Sequence, residues 1–344
     1  MRRRLIMFGL ALIATTCRLA AAQTRYKITN LGNFIPAKIN SKGQLAGSIA
    51  VNVPTRITFT HAAIWESGRI RDLGTLPAAD ESMATGINAS GQMIGNVRDP
   101  SPDARHRIQR AFLWQKGIMQ DLGALDGADC FAAAINDAGQ VVGSSHHHAF
   151  LWQKGRLKDL GLLPGAQGSA AHGINSRGQV LGEFSSTSGG SGAFLWQDDR
   201  MRDLGKLDTG YGEGATGHAF NDRGQWVGSS TGGMHGESRP LLFSIDASNA
   251  RPRKRDLGTL GGSMGSAASV NNRGRVVGFS RTARGVGHAF IWDPQTGMQD
   301  LNLLIAANSG WVLFYAVDIN DGGQIVGHGV LHGKGANFLL TPTH

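Results

Sequence analysis

Short runs of consecutive apolar residues, separated by glycine-rich stretches, set the pattern of this chain. Runs such as 149–152 (AFLW) and 140–143 (QVVG) are apolar on successive positions rather than on alternate ones. A strand with this pattern is covered on both faces, so the runs predict short buried strands. Glycine accounts for 50 of the 344 residues, about twice the average usage of roughly 7%. We interpret these glycines as turn residues between many short strands.

Three sequence elements each recur seven times, which indicates one repeated structural unit. The first is an apolar residue followed by Asn-x-x-Gly and then Gln or Arg, with its asparagine at Asn40, Asn88, Asn136, Asn175, Asn221, Asn271 and Asn320. The second is Asp-Leu-Gly or a near variant, centred on Leu31, Leu73, Leu122, Leu160, Leu204, Leu257 and Leu301. The third is an apolar run such as HAFLW, which begins at His61, Arg110, His148, Gly192, Pro240, His288 and Ala336.

Each unit divides into four strand-like segments, with Asn-x-x-Gly between the first two. Asparagine caps the backbone of such a turn, and glycine adopts the left-handed conformation that closes it, so the motif predicts a hairpin. The last segment, such as 156–161 (RLKDLG), has apolar residues three apart, which indicates a bulge or the end of a strand. Four antiparallel strands in each of seven units predict an all-β chain folded as a seven-bladed β-propeller. A β-solenoid is the alternative, but it usually has shorter coils.

The two ends of the repeat region favour a closed ring. Residues 26–32 (YKITNLG) form a fourth strand without a preceding three, and residues 336–342 (ANFLLTP) form a third strand without a following fourth. We therefore expect the N-terminal strand to complete the last blade and remove its free edge. This predicts one domain over 23–344, with blades at about 33–74, 75–123, 124–161, 162–205, 206–258, 259–302, and 303–344 plus 23–32.

The repeated motifs also resemble known families. The order of turn, AFLW strand and outer strand is similar to the WD40-type blade, although that family's His and Asp signatures are absent. HAFLW, HAFIW, DLG and INxxGQ together resemble the HAF-repeat family of exported bacterial proteins over nearly the whole chain after residue 22. The resemblance implies an extracellular propeller-like protein. It supplies no catalytic residues, since the family has no established biochemical role.

The first 22 residues have the pattern of a secretory signal peptide. Arg2, Arg3 and Arg4 precede an apolar stretch too short to span a bilayer, and Ala20 and Ala22 are the small residues of a cleavage site. We expect cleavage before Gln23 and export to the periplasm or the medium, with no transmembrane anchor. Twin-arginine export and lipidation are less favoured, because their surrounding motifs are missing.

Removal of this segment changes the charge and the cysteine count. The segment holds four arginines and no acid, so 30 basic and 25 acidic residues remain, a net charge of +5 instead of +9. That balance does not indicate a nucleic-acid partner. Cys130 is then the only cysteine, which excludes an intramolecular disulfide, and we expect a monomer stabilised by its core.

The loops that follow DLG and those that precede the AFLW strand share one rim of the predicted propeller. They hold most of the variation between units, so this rim is the expected ligand-binding face. The first hypothesis is therefore a scaffold that binds a glycan, a peptide or a surface partner here. The candidate contacts are Tyr211, Trp311, Tyr315, Asp126, Asp129, Asp208 and Glu213.

The alternative hypothesis is an enzyme, a lyase or a hydrolase, that acts at the same face. His146 and His148 fall on one side of a strand and have the chemistry of zinc or copper ligands. His148 is also a repeat position, matched by His61 and His288, which indicates a structural role for it. No cofactor other than this metal ion is predicted, and enzyme activity is the less favoured of the two hypotheses.

Other catalytic or binding patterns in the chain are weaker. Gly-x-Ser-x-Gly occurs around Ser230 and Ser263, but a nucleophile elbow needs a strand–turn–helix context that this repeat lacks. A calcium loop needs alternating carboxylates, and the Asn-x-x-Gly turns provide single acids at Asp137, Asp222 and Asp321. The basic run 251–256 (RPRKRD) is interpreted first as a solvated hairpin, and as a contact for an anionic surface second.

Overall fold

The computed structural model describes residues 25–52, 58–98, 108–127, 129–187, 190–205, 219–231, 237–245 and 251–343. The regular structure in these ranges is β-strand, as predicted, apart from two three-residue 3-10 turns, Leu125–Gly127 and Leu301–Leu303. None of these ranges includes a helix long and apolar enough to cross a membrane. The expected signal peptide lies outside the described residues.

The strands are short and follow the predicted order. They are β1 (Arg25–Asn30), β2 (Ile35–Ile39), β3 (Leu45–Asn52), β4 (Thr58–Glu66), β5 (Arg69–Asp72), β6 (Glu81–Ile87), β7 (Met93–Arg98), β8 (Gln109–Gln115), β9 (Ile118–Asp121), β10 (Cys130–Ile135), β11 (Val141–Ser145), β12 (His148–Gln153), β13 (Arg156–Asp159), β14 (Ala166–Ile174), β15 (Val180–Ser186), β16 (Ser191–Gln197), β17 (Arg200–Gly205), β18 (Gln225–Thr231), β19 (Ser238–Ser244), β20 (Arg253–Asp256), β21 (Gly261–Val270), β22 (Val276–Thr282), β23 (Gly287–Asp293), β24 (Gly297–Asp300), β25 (Trp311–Ile319), β26 (Ile325–Leu331) and β27 (Lys334–Thr343).

These strands form four-stranded antiparallel sheets of consecutive strands. Sheet 1 is β2–β5, sheet 2 is β6–β9, sheet 3 is β10–β13, sheet 4 is β14–β17, and sheet 7 is β25–β27 completed by β1. Sheet 5 (β18–β20) and sheet 6 (β21–β24) are joined by one parallel bridge between Ser238 and Met264. In sheet 5 the first strand is described only at its end, where Phe220 bridges to Trp226.

The N-terminal strand lies where the sequence predicts it. β1 pairs antiparallel with β27 over six residues, from Arg25 opposite Thr343 to Asn30 opposite Phe338. Tyr26 is buried in the apolar cluster between sheets 6 and 7, and its backbone N–H donates to the carbonyl of Leu304 at 2.9 Å. The strand is therefore held by a backbone ladder and by a buried side chain.

The apolar cores lie between neighbouring sheets, as expected for strands covered on both faces. Ile94 and Leu113 of sheet 2 pack with Val141 and Phe150 of sheet 3, and the other neighbouring pairs have equivalent clusters. One such cluster joins the last sheet to the first, with Leu339 against Phe34, Leu45, Trp65 and their neighbours. The first strands of the sheets surround a central cavity of about 170 Å³.

The glycine in the second strand of each unit explains part of the repeat. A Cβ on Gly95 would lie 2.0 Å from the carbonyl oxygen of Met83 and 2.6 Å from the ring of Phe112. Only glycine lets the first strand and the buried phenylalanine of the AFLW run approach so closely. The phenylalanine and the glycine therefore occur together in sheets 2, 3, 4, 6 and 7.

The repeated asparagines do more than cap their own turns. In each described link, the side-chain N–H of one asparagine donates to the backbone carbonyl of the asparagine in the next sheet, at 2.9 to 3.1 Å. The links run Asn40 to Asn88, Asn88 to Asn136, Asn136 to Asn175, Asn221 to Asn271, Asn271 to Asn320 and Asn320 to Asn40. The asparagine amide thus joins sheet to sheet, and the last link returns to the first sheet.

The acids in these turns cap neighbouring turns and do not form calcium loops. Asp137 accepts from the backbone N–H of Ala89 at 2.7 Å, and Asp222 accepts from that of Ser176 at 2.8 Å. Asp321 accepts in the same way from Asn272 at 2.8 Å. Each carboxylate therefore binds the turn of the preceding sheet.

The three-residue apolar spacing of the DLG segment marks the end of a strand. β13 ends at Asp159, and Leu160 is buried beyond it, with its N–H donating to the carbonyl of Ala149 at 2.9 Å. The aspartate just before the leucine accepts from the N–H of Gly161 at 2.7 Å. The leucine therefore points into the core from a turn and not from the pleated strand.

Candidate functional site

The expected ligand-binding rim contains a cavity of about 610 Å³ between sheets 3 and 4. Its walls carry two acids, two imidazoles, two phenylalanine rings and several serine hydroxyls. We call it the rim cavity, and its main lining residues are Asp129, Phe131, His146, His147, Glu183 and Phe184. The serines are Ser144, Ser145, Ser169, Ser185 and Ser191. A volume of this size with a few polar groups among apolar ones suits a small ligand or one unit of a longer one.

The two histidines form the connection between the second and third strands of sheet 3. His146 and His147 are the only residues between Ser145 of β11 and His148 of β12, which pair with each other. Their φ angles are 48° and 63°. Two consecutive positive φ values are the geometry of a type I′ turn, for which Asn-Gly is the preferred sequence. Histidine tolerates this region better than most residues but not without cost.

The neighbouring sheet holds this turn in place. The carbonyl of His147 accepts from the N–H of Ser169 at 2.7 Å. A Cβ on Gly168 would lie 3.4 Å from that carbonyl oxygen and 3.1 Å from the hydroxyl oxygen of Ser185, so a bulkier residue would crowd the turn. The Ser169 hydroxyl accepts from Ala149 N–H and donates to the Gly161 carbonyl, both at 2.9 Å.

The acids and rings complete the wall of the rim cavity. Asp129 is exposed and accepts from the backbone N–H of Gln109 at 2.9 Å. One carboxylate oxygen of Glu183 lies 3.2 Å from the Nε2 of His172. Phe131 is 39% exposed although it belongs to the first strand of its sheet. Carboxylates that accept hydroxyl or amine hydrogens beside accessible rings form a typical surface for sugars and peptides.

His148 belongs to the repeat and not to the rim cavity. Its Nδ1 lies 2.7 Å from a carboxylate oxygen of Asp159 on the adjacent strand. The same pair recurs in other sheets: His61 with Asp72, His288 with Asp300, Arg110 with Asp121, and Arg239 with Asp256. The histidine of HAF and the aspartate of DLG therefore form one structural unit across the outer strands.

The predicted metal site gains no third ligand in the described chain. His146 lines the cavity, whereas His148 uses one ring nitrogen on Asp159. Across the described ranges, no three His, Cys, Asp or Glu side chains are grouped closely enough to hold a metal ion. Metal binding by His146 and His148 stays a prediction.

The other predicted ligand contacts are scattered. Asp129 lines the rim cavity, but Asp126 lies exposed in the neighbouring turn with a φ of 53°. Trp311 packs edge-on against Phe338, with 6.2 Å between ring centroids. Tyr315 stacks on Phe279 at 6.5 Å, and burial raises its pKa. Neither aromatic residue lines the rim cavity. The rest, Tyr211, Asp208 and Glu213, lie outside the described residues.

Sequence reasoning missed Phe131, Glu183 and Phe184. A signal for the location was present, because the distance from Asn136 to Asn175 is 39 residues, whereas the other asparagine spacings are 46 to 50. A two-residue connection between β11 and β12 accounts for part of this short spacing.

Cys130 lacks the environment of a reactive thiol. It is the first residue of β10 and is fully buried. Burial raises the pKa of its thiol to about 12, which disfavours the thiolate that reacts with electrophiles.

Comparison with solved structures identifies the fold. The β-propeller domain of the Trilobed protease from Pyrococcus furiosus matches 93% of this chain and 94% of its own, with a TM-score of 0.56 and 8% identity. A structure of YCF48 bound to D1 peptide has the same TM-score at 10% identity and covers 93% of this chain and 97% of its own. The Dos1 propeller has a TM-score of 0.52 at 12% identity, over 92% of this chain and 95% of its own.

The chain has a β-propeller fold. Identities of 8 to 12% carry no function across. No family model and no curated protein matches the chain.

Proposed function

We propose that this protein is an exported, monomeric seven-bladed propeller that binds a small polar ligand in the rim cavity. The main support for this proposal is the composition of the cavity. Carboxylates, hydroxyls and accessible phenylalanine rings lie there beside a turn in an unfavourable conformation. Oligosaccharides are the ligands that we expect first, because carboxylates accept sugar hydroxyls while rings stack on sugar faces.

Seven blades and a closed ring are supported by contacts between the first and last sheets. Asn320 donates to the carbonyl of Asn40 at 2.9 Å, and the Asp318 carboxylate accepts from the N–H of Ile39 at 2.9 Å. The apolar cluster of Phe34 and Leu339 spans the same junction. Each of sheets 1 to 7 then forms one blade, with the blade boundaries and the single domain over 23–344 inferred from the sequence.

The His146–His147 turn is the observation that favours ligand binding over a purely structural role. A two-residue connection with both φ angles positive would be more stable as Asn-Gly. Retaining two histidines there costs on the order of 1 kcal/mol or more. Asp198 and Asp199 form a turn with the same geometry, with φ angles of 50° and 60°, so it is the cavity lined by the histidines that supports contact with a ligand.

The double substitution His146→Asn with His147→Gly tests this directly. The variant keeps the turn, so we expect its unfolding temperature to rise by roughly 2 °C. Its binding to an array of defined oligosaccharides and to a peptide library should fall at least tenfold for any probe that the wild type captures. Thermal unfolding and titration of the captured probe measure the two effects.

Two results would contradict the proposal. One is a wild-type protein that captures no probe from either collection. The other is a double variant that binds the captured probe as tightly as the wild type, which would leave the histidines with a turn role alone. The control is His332→Asn. His332 also has a positive φ, 48°, but it lies in the β26–β27 turn of sheet 7.

Catalysis at the same cavity is the second candidate function. Asp129 and Glu183 place two carboxylates beside two imidazoles, and these are the groups that general acid–base hydrolysis or elimination uses. A screen for hydrolase and lyase activity against the oligosaccharides that bind would decide between catalysis and binding alone. Turnover lost in Glu183→Gln, with binding retained, would favour the enzyme over the binding scaffold.

A further inference from the structure

We propose that a groove between sheets 4 and 5, on the face of the Asn-x-x-Gly turns, binds a linear acidic polysaccharide. This face lies at the opposite end of the strands from the rim cavity, and the inference does not depend on that cavity. The groove has a volume of about 1040 Å³. Four arginines line it: Arg177, Arg200, Arg202 and Arg223.

The groove lies at a seam where the tryptophan that ends the AFLW strand in most sheets is replaced by another residue. In sheets 2, 4 and 6 the AFLW strand ends in a tryptophan, and a cation from the outer strand of the preceding sheet lies over that ring. The pairs are Arg71 over Trp114 at 5.2 Å, Lys158 over Trp196 at 5.4 Å, and Arg255 over Trp292 at 4.6 Å from the ring centroid. These cation–π contacts stabilise the packing of one sheet against the next.

Arg202 occupies the same repeat position as those cations, one residue before the aspartate of DLG. In sheet 5 the matching position is held by Phe243, which pairs with Lys254 of β20 as Trp152 pairs with Leu157 of β13. Phe243 has a smaller ring than tryptophan, is buried and stacks on Trp226 with 5.3 Å between ring centroids, and Ile245 lines the open groove. Arg202 therefore has a buried phenylalanine, and not a tryptophan, at the matching position of sheet 5, and it lines the groove.

The positive charge in the groove exceeds the negative charge among its described lining residues. Asp198 and Asp222 are the acids, and Asp222 already accepts from the N–H of Ser176. The Arg177 guanidinium donates to Gln179, at 2.8 Å for its closer nitrogen, which leaves other N–H groups for a ligand. Clustered guanidinium groups repel one another, and bound carboxylates or sulfates relieve that repulsion with paired hydrogen bonds.

The shape and composition favour a polysaccharide over other polyanions. A groove admits a single chain, whereas a bilayer surface is flat and reaches only its edges. Proteins that bind single-stranded nucleic acid stack bases on aromatic side chains, and the described lining residues of this groove include none. Met201 and Ile245 provide aliphatic contacts for sugar rings instead.

The test is fluorescence anisotropy with a labelled oligogalacturonate, on the full chain after residue 22. The groove variant is Arg200→Gln with Arg202→Gln. Its matched control is Arg69→Gln with Arg156→Gln, which removes the same charge from exposed first positions of the outer strands of sheets 1 and 3. We expect the groove variant to lose at least about tenfold in affinity, and the control to change by less than about twofold.

A second variant, Gln197→Trp, places a large ring at an exposed position of the groove. It should weaken oligogalacturonate binding while leaving the fold intact by circular dichroism. Neutral dextran, a single-stranded oligonucleotide and phosphatidylglycerol vesicles are the comparison probes.

The proposal is overturned by absent binding, by equal losses in the groove and control variants, or by an oligonucleotide or vesicle that binds more tightly and loses affinity in the groove variant alone.

Discussion

A chain that begins at Leu31, and so lacks β1, should unfold at least ~10 °C below a chain that begins at Gln23, or should fail to fold as a monomer. β1 contributes six backbone pairs to β27 and the buried side chain of Tyr26. Burial of Tyr26 and Ile28, together with the ladder hydrogen bonds, amounts to about 5 kcal/mol or more. That is a large share of the roughly 5–15 kcal/mol by which domains are stable.

Thermal unfolding and size-exclusion chromatography measure this effect, since an unpaired β27 edge also invites association. A synthetic peptide with the sequence of residues 25–30 should restore part of the lost stability when added in excess. An unfolding temperature that stays unchanged without β1 would contradict the ring-closure proposal, and so would a peptide that has no effect on a destabilised chain.

The second large effect is expected from Asp318→Ala, which should destabilise the fold by about 3 kcal/mol. Asp318 is buried and lies at the junction of three sheets. Its carboxylate accepts from Ile39 N–H at 2.9 Å, from the Ser269 hydroxyl at 2.6 Å and from the Lys38 ammonium at 3.3 Å. Alanine would leave a buried N–H and a partly buried cation without their partner.

Chemical denaturation of Asp318→Ala beside Glu66→Ala separates this role from general charge removal. Glu66 is an exposed carboxylate that accepts from the Gln44 side chain at 2.8 Å, so its loss should cost less than about 0.5 kcal/mol. Equal stability losses in the two variants would show that Asp318 does not join the first and last sheets.

The repeat itself was predictable from the chain, because its physical causes are local. Asn-x-x-Gly marks a hairpin, consecutive apolar residues mark a strand covered on both faces, and the sheets have these elements in the predicted order. The pairing of β1 with β27 was predictable because each terminal fragment supplies the strands that the other lacks. The hydrogen bonds from asparagine amides to the next sheet, in the six links that the structure describes, were missed, since turn chemistry alone explains an asparagine there.

The site was less predictable, because a cavity depends on what neighbouring sheets leave open. Asp129 and His146 were predicted and line the rim cavity, whereas Trp311 and Tyr315 pack against other rings. Glu183 and Phe184 belong to a second strand, where the repeat pattern suggests structure rather than function. His148 was a candidate ligand until its pairing with Asp159 explained why the histidine recurs.

The proposed binding at the rim cavity is tested most directly by placing a large side chain in it. Ser185 lines the cavity and is exposed, so Ser185→Trp should fill the space without disturbing the core. Ser90→Trp is the control, because Ser90 is exposed in an Asn-x-x-Gly turn on the opposite face. The measurement is the affinity of each variant for a probe captured by the wild type from the oligosaccharide and peptide collections. We expect binding to be lost in Ser185→Trp and unchanged in Ser90→Trp; wild-type affinity in Ser185→Trp would contradict a ligand site in the rim cavity.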